Sequence, residues 1–100
     1  MAIVEVSIVP IATPTPSLSQ YVARAVQILQ VEPDIKYELT AMGTIIEGDL
    51  ERLLALVGRM HQSAFETGVM RVVTTVKIDE RRDKPSSISS KIEAVKRTIR

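Results

Sequence analysis

The alternation of apolar and polar positions divides this chain into seven short elements. From Ala2 to Val9, Val4, Val6 and Ile8 form one set, and Glu5 and Ser7 belong to the other, as in a strand with one apolar face. Pro10 ends it, and Thr13-Pro14-Thr15-Pro16 forms a stiff extended connection. Leu18, Tyr21, Val22, Ala25, Ile28 and Leu29 then recur at helical spacing, with Ser17 placed to cap that helix and Gln20 to complete a capping box. After Pro33-Asp34, Ile35 to Thr40 alternates as a strand and Thr44 to Glu47 as a second. Ala41-Met42-Gly43 makes the tight connection of a hairpin. Asp49 is placed to cap a second helix with core positions Leu50, Leu53, Leu54, Val57, Met60 and Ala64, closed by Gly68. Val69 to Asp79 is the longest strand, with Val72, Thr74, Val76 and Ile78 on one face and Arg71, Val73, Thr75, Lys77 and Asp79 on the other. A charged loop, Asp79 to Lys84, leads to Pro85. Ser86 is placed to cap a last helix carrying Ile88, Ile92, Val95 and Ile99, with Lys91, Lys96, Arg97 and Arg100 around that stripe.

The order β-α-β-β-α-β plus a C-terminal helix predicts an α+β chain of ferredoxin-like type. In that fold both βαβ helices cover one side of a four-stranded antiparallel sheet. With 100 residues and no linker, the expectation is one domain spanning 1–100. The second sheet face then carries Glu5, Ser7, Arg71, Val73, Thr75 and Lys77, with Lys36, Glu38 and Thr40 from the hairpin. That mixture fits either a solvated face with cross-strand ion pairs or sheets paired between subunits around a small ligand. The narrow stripe of the last helix can dock on its own subunit or cross to a neighbour.

Composition narrows the chemistry. A net charge of +1 and only three aromatic residues, Tyr21, Tyr37 and Phe65, argue against a nucleic-acid surface. The apolar runs are too short to span a bilayer, and no basic region precedes a long apolar stretch, so neither a membrane span nor a signal peptide is expected. The absence of cysteine removes disulfides, thiolate catalysis and cysteine-ligated metals, and a cytoplasmic location is expected. His61, the one histidine, has no second ligand beside it and reads as a surface or partly packed residue. No phosphate-binding loop, dinucleotide fingerprint or nucleophile elbow is present, so neither catalysis nor a cofactor or metal is expected. An acylphosphatase-like enzyme on this fold needs an asparagine, and the chain has none. The Asp79-Glu80-Arg81-Arg82-Asp83 run reads as a solvated turn, with intersubunit salt bridging or an anion contact through Arg81 or Arg82 as the alternative.

One polar residue stands apart. Glu47 ends the apolar run Thr44-Ile45-Ile46, bracketed by Gly43 and Gly48. A carboxylate there needs a partner if buried, either a base such as Lys77 or Arg71 or a group on a ligand. Glycines on both sides suit sharp turns or close approach.

Val6-Ser7-Ile8-Val9-Pro10, Ser17 to Val22, Tyr37-Glu38-Leu39, Met42-Gly43-Thr44-Ile45-Ile46-Glu47-Gly48 and Arg71 to Asp79 with Arg81 resemble the small thiamine-binding-protein family. The resemblance extends through the Lys91-to-Val95 helix, and Met-Gly-Thr-x-x-Glu-Gly and Arg-Val-Val-Thr-Thr are its most specific segments. It implies a ferredoxin-like fold, non-catalytic binding of thiamine or a hydroxymethylpyrimidine-like compound, and sheet-mediated assembly into dimers and homotetramers. Carried onto this sequence, the expected ligand-binding residues are Ser7, Thr44, Glu47 and Thr75, with Ser19, Tyr21, Met42 and Lys77 beside them. Glu47 would accept from an amino group or balance a thiazolium. The family usually has a glycine-bearing loop after Pro10, whereas this chain has Ala12-Thr13-Pro14-Thr15-Pro16. The alternative function is a structural or regulatory homo-oligomer without a small-molecule ligand.

Overall fold

A computed structural model describes residues 1–85 and 87–99. The elements are β1 (Ala2–Pro10), α1 (Ser19–Gln30), β2 (Lys36–Thr40), β3 (Gly43–Gly48), α2 (Leu50–Phe65), β4 (Val72–Glu80) and α3 (Ile88–Thr98). The four strands form one antiparallel sheet in the order β2-β3-β1-β4, the arrangement expected of a ferredoxin-like fold. No helix among the described residues is long and apolar enough to cross a membrane.

Central strand β1 pairs with β3 on one side and β4 on the other, so its alternation orients the whole sheet. Val4 and Val6 lie opposite Ile46 and Thr44 on one side and Ile78 and Val76 on the other. These residues face α1 and α2. Val4, Val6, Ile46, Leu29, Leu53, Leu56 and Met60 are almost wholly buried there and form the core with Ala25, Ile35 and Val57. Each large side chain so enclosed contributes roughly 1.5–3 kcal/mol of transfer free energy.

The helices differ from expectation at their ends and in one core position. On α2 the buried line is Leu53, Leu56, Val57, Met60, Ser63 and Ala64, and Leu54 is exposed. The i, i+3, i+4 spacing counted from Leu50 selects Leu54, whereas counted from Leu53, at the centre of the stripe, it selects Leu56. Asp49 takes the N-cap position with extended backbone, although its side chain makes no cap bond, and Glu51 lies in the first turn. Helix α1 begins at Ser19, with Leu18 at the N-cap and no side-chain cap bond. The expected Ser17 capping box is absent, and Ser17 Oγ lies 3.2 Å from Ser19 Oγ instead. Leu18, part-buried, lines an apolar cleft at that point. β4 begins at Val72, leaving Met70 exposed. Ser86, expected to cap the last helix, and Arg100, beyond its end, lie outside the described residues; Ser87 provides a complete capping box with Ser90.

The two glycines around the β3 run are explained by close approach. A Cβ on Gly43 would stand 2.8 Å from the Val6 carbonyl oxygen, and one on Gly48 would meet Ile35 Cδ1 at 2.9 Å. The first neighbour is backbone and cannot yield; the second is the end of a flexible side chain. The turn between β2 and β3 has two residues, Ala41 and Met42. It is closed by Thr40, whose Oγ1 donates to the Gly43 carbonyl at 2.9 Å and accepts from Met42 N–H at 3.3 Å.

Gly43→Ala is expected to lower the urea midpoint by an amount equivalent to about 1–3 kcal/mol. Gly58→Ala, on the exposed side of α2 with nothing within 4 Å of the added carbon, is expected to raise stability by about 0.5–1 kcal/mol. Equal effects in equilibrium unfolding would contradict the assignment of Gly43 to a close backbone approach.

Candidate functional site

A cleft of about 180 Å³ lies between the C-terminal half of β1, the first turn of α1 and the tip of the β2–β3 hairpin. Val6, Ile8, Leu18, Val22, Leu39 and Met60 provide apolar walls, and Tyr21 and Thr44 supply hydroxyl groups among them. Thr44 is 4% exposed and sits level with Val6 and Leu39, on the helix side of the sheet. Met42, 84% exposed, forms part of the rim at the hairpin tip. Such apolar concavity with few polar groups suits a small, largely flat molecule.

The opposite face of the sheet is organised in cross-strand rows. Asp79, Ile3, Glu47 and Lys36 form the first, and Lys77, Glu5, Ile45 and Glu38 the second. Thr75 lies opposite Ser7, and Gly43 opposite Thr40 completes a third row of small hydroxyl side chains. Val73 opposite Val9 forms the fourth. This pattern places Glu5, Ser7, Val73, Thr75, Lys77, Lys36, Glu38 and Thr40 on the face expected for them. Lys77 Nζ lies 3.8 Å from Glu5 Oε1, an exposed pair worth little.

Glu47 is the polar residue most deeply enclosed on that face, 6% exposed. Neither Lys77 nor Arg71 is its partner. Its Oε2 accepts a hydrogen bond of 2.7 Å from the backbone N–H of Ile88, at the start of α3. A carboxylate is favoured at that end of a helix because the first N–H groups have no intrahelical acceptor. Asp79 accepts from Lys91 one turn later. These two contacts seat the start of α3 across the first row, which encloses Ile3 to 9% exposure.

The eight expected residues therefore fall into four places. Tyr21, Met42 and Thr44 converge on the cleft, which Ser7 also borders, and Ser19 lies in a shallower depression sharing Val22, Leu39 and Thr40. Ser7, Thr75 and Lys77 occupy neighbouring rows of the opposite face. Glu47 sits beneath α3, away from the cleft. Spacing along the chain sets Leu18 and Val22 on a helix face and Met60 in the core, and carries no sign that they enclose a cavity. Helical periodicity identified these residues as apolar, and only the position of the hairpin tip makes a cleft of them.

His61 packs part-buried, Nδ1 2.6 Å from Thr74 Oγ1 and edge-on to Phe65. In the charged turn, Arg81 pairs with Asp83 and Arg82 with Glu80. In the loop before α1, Ala12 adopts φ 61°, the left-handed region that favours glycine.

With this geometry in place, comparison with known proteins is decisive about kinship. The family model described as thiamine-binding protein matches residues 4–96. The chain belongs to the thiamine-binding protein family. The UPF0045 protein YqgV of Bacillus subtilis is 48% identical over 99% of this chain and 98% of its own length. A crystal structure of a hypothetical protein from Methanocaldococcus jannaschii, 39% identical, superposes with a TM-score of 0.86 over 95% of each chain. A Thermotoga maritima protein assigned provisionally to thiamine biosynthesis or salvage shares the fold at 23% identity, with a TM-score of 0.77 over 94% of this chain and 97% of that one.

Two measurements follow from these local features. Ala12→Gly is expected to be neutral or to stabilise by up to about 1 kcal/mol, in contrast to the usual cost of glycine; a clear drop in melting temperature would contradict the strained assignment. The hydrogen bond from Arg81 holds the Asp83 carboxyl at about 2, below its ordinary 3.8. Because the folded value is the lower one, the pair's contribution is present above pH 3.8 and is lost as pH falls through about 2. An NMR titration of Asp83 should show that midpoint, and Arg81→Ala should return it towards the ordinary value.

Proposed function

We propose that this protein, folded as one ferredoxin-like domain, binds thiamine or its hydroxymethylpyrimidine portion without catalysing its conversion, in the cleft beside the hairpin tip. The observation that carries this reading is the convergence of Tyr21, Met42 and Thr44 on one small apolar cavity in a chain of the thiamine-binding protein family. An aminopyrimidine is flat, with apolar faces and hydrogen-bonding edges. Leu18, Val22, Leu39 and Met60 would cover the faces while the Tyr21 and Thr44 hydroxyls meet the edge.

The cavity has no basic lining residue to hold a phosphate and no carboxylate to balance a thiazolium. Under this reading the pyrimidine ring supplies the binding energy and the rest of thiamine lies outside. The hydroxyl row Thr75-Ser7 and the neighbouring Lys77 lie on the opposite face, which supports a role for them where the sheet face of a second subunit comes close. We accordingly read the protein as a self-associating, tetramer-forming binding protein of the cytoplasm. The assignment of Glu47 to the amino group gives way in this reading to its bond with α3.

Titration calorimetry with hydroxymethylpyrimidine, thiamine and thiamine phosphate tests the proposal. Binding of the first two is expected, with phosphate conferring no gain. Tyr21→Phe and Thr44→Val should each weaken binding about five- to tenfold, the loss of one hydrogen bond of roughly 1–1.5 kcal/mol. Glu47→Gln should bind as the parent does. Absence of heat with all three compounds at millimolar concentration would instead favour the ligand-free structural or regulatory oligomer.

A further inference from the structure

The tip of the β2–β3 hairpin is a wall of the cleft that neither burial nor turn geometry holds in place. Its two loop residues, Ala41 and Met42, both line the cavity and are both exposed, Met42 to 84%. Two-residue hairpins are normally closed by turns with positive φ, whose twist matches that of the strands. Neither Ala41 nor Met42 has one; among the described residues, Ala12 and Gly68 are the positions with φ in that region. The turn therefore has the hand that tends to splay its strands apart.

A side-chain hydroxyl counters that tendency. Thr40 and Gly43 are the last ladder pair before the turn. Thr40 Oγ1 donates to the Gly43 carbonyl at 2.9 Å and accepts from the Met42 N–H at 3.3 Å, so it bonds both across the turn and into it. Threonine and serine form local bonds of this kind in turns. On the other side of the tip Gly43 lies against β1, where a Cβ would come within 2.8 Å of the Val6 carbonyl oxygen. Gly43 thus fixes the start of β3 against a strand that lines the cleft, and Thr40 fixes the loop to Gly43. Thr44, which lines the cavity, follows Gly43 directly.

We propose that Thr40 is a positioning residue for the cleft. Its hydroxyl clasps the Ala41-Met42 turn in the arrangement that receives a flat ring, and it sets the affinity of the site without holding the ring itself. This role rests on the binding reading above and adds to it the residue that pre-organises the site. Without the hydroxyl, water takes its place at the Met42 N–H and the Gly43 carbonyl, and the turn samples positions that open the rim. Only a fraction of the molecules then present the complete cavity, and apparent affinity falls by that fraction. The loss belongs to association, because a ring seated in the closed arrangement makes the same contacts in parent and variant.

Calorimetric titration with hydroxymethylpyrimidine tests this on the full chain. Thr40→Val keeps the β-branched shape and removes both bonds. It is expected to weaken binding about tenfold, as when the competent arrangement falls to roughly a tenth of the population. Thr40→Ser, which restores the hydroxyl, should bind much as the parent does. NMR line-shape analysis of the Thr44 methyl should place the loss in Thr40→Val in slower association, with dissociation unchanged. Thr67→Val is the control, removing another threonine-to-carbonyl bond, Thr67 Oγ1 to Ala64 at 2.8 Å, just beyond α2 and outside the cleft. It should leave affinity as it is, whatever it does to the melting temperature. Parent-like affinity in Thr40→Val, or a Thr40→Ser that binds no better than Thr40→Val, would overturn the role of the hydroxyl and leave the cleft standing as the binding site. Faster dissociation with association unchanged would overturn positioning in favour of a direct contact. A parent that binds none of the three compounds at millimolar concentration would remove both the cleft reading and the clasp.

Discussion

In an antiparallel sheet, neighbouring strands settle at one spacing and one pleat, and side chains must alternate between the two faces. Here that constraint is imposed from the middle. β1 is bonded on both edges, and Val4 and Val6 are held in the core by Ile46, Leu53, Leu56 and Met60. With those two valines facing the helices, Thr44 must point into the helix layer and Glu47 out of it. A slip of one residue would bury Glu5 and Ser7 and expose the valines, which makes the register costly to change. The missing side chain at Gly43 belongs to the same constraint, because it lets β3 close against the Val6 carbonyl.

The two faces consequently have separate chemistry. On the helix side, a loop stiffened by prolines delivers Leu18 and Tyr21 to a hairpin tip held by Thr40, and a small apolar cavity results. On the other side, hydroxyls and charges are arranged in rows. The one carboxylate enclosed there is satisfied by a backbone amide rather than by a base. Enclosing Glu47 costs little because the helix start already presents an N–H in need of an acceptor.

Most of this order was legible from the chain. Strand alternation and helical spacing located the elements, and their order specified the sheet. Parity carried more than was taken from it: residues 44 and 47 are an odd number apart on one strand, so Thr44 and Glu47 face opposite ways and cannot meet one ligand side by side. Other features had no local signal. The partner of Glu47 lies 41 positions along the chain and is an amide that any residue type would provide. The choice of Leu56 over Leu54 depends on where the axis of α2 lies over the sheet, which helical spacing alone leaves open. The cleft is a gap between three segments and belongs to none of their sequences.

Beyond its first turn α3 holds no buried residue, and its outer side is free of the tests that core packing applies. Substitutions on the outer side of α3 leave the packing of Val6 or Leu53 untouched, so such changes can accumulate without loss of the fold. In a chain with the same interior, this outer side can therefore vary while the cleft between β1, α1 and the hairpin tip keeps its lining.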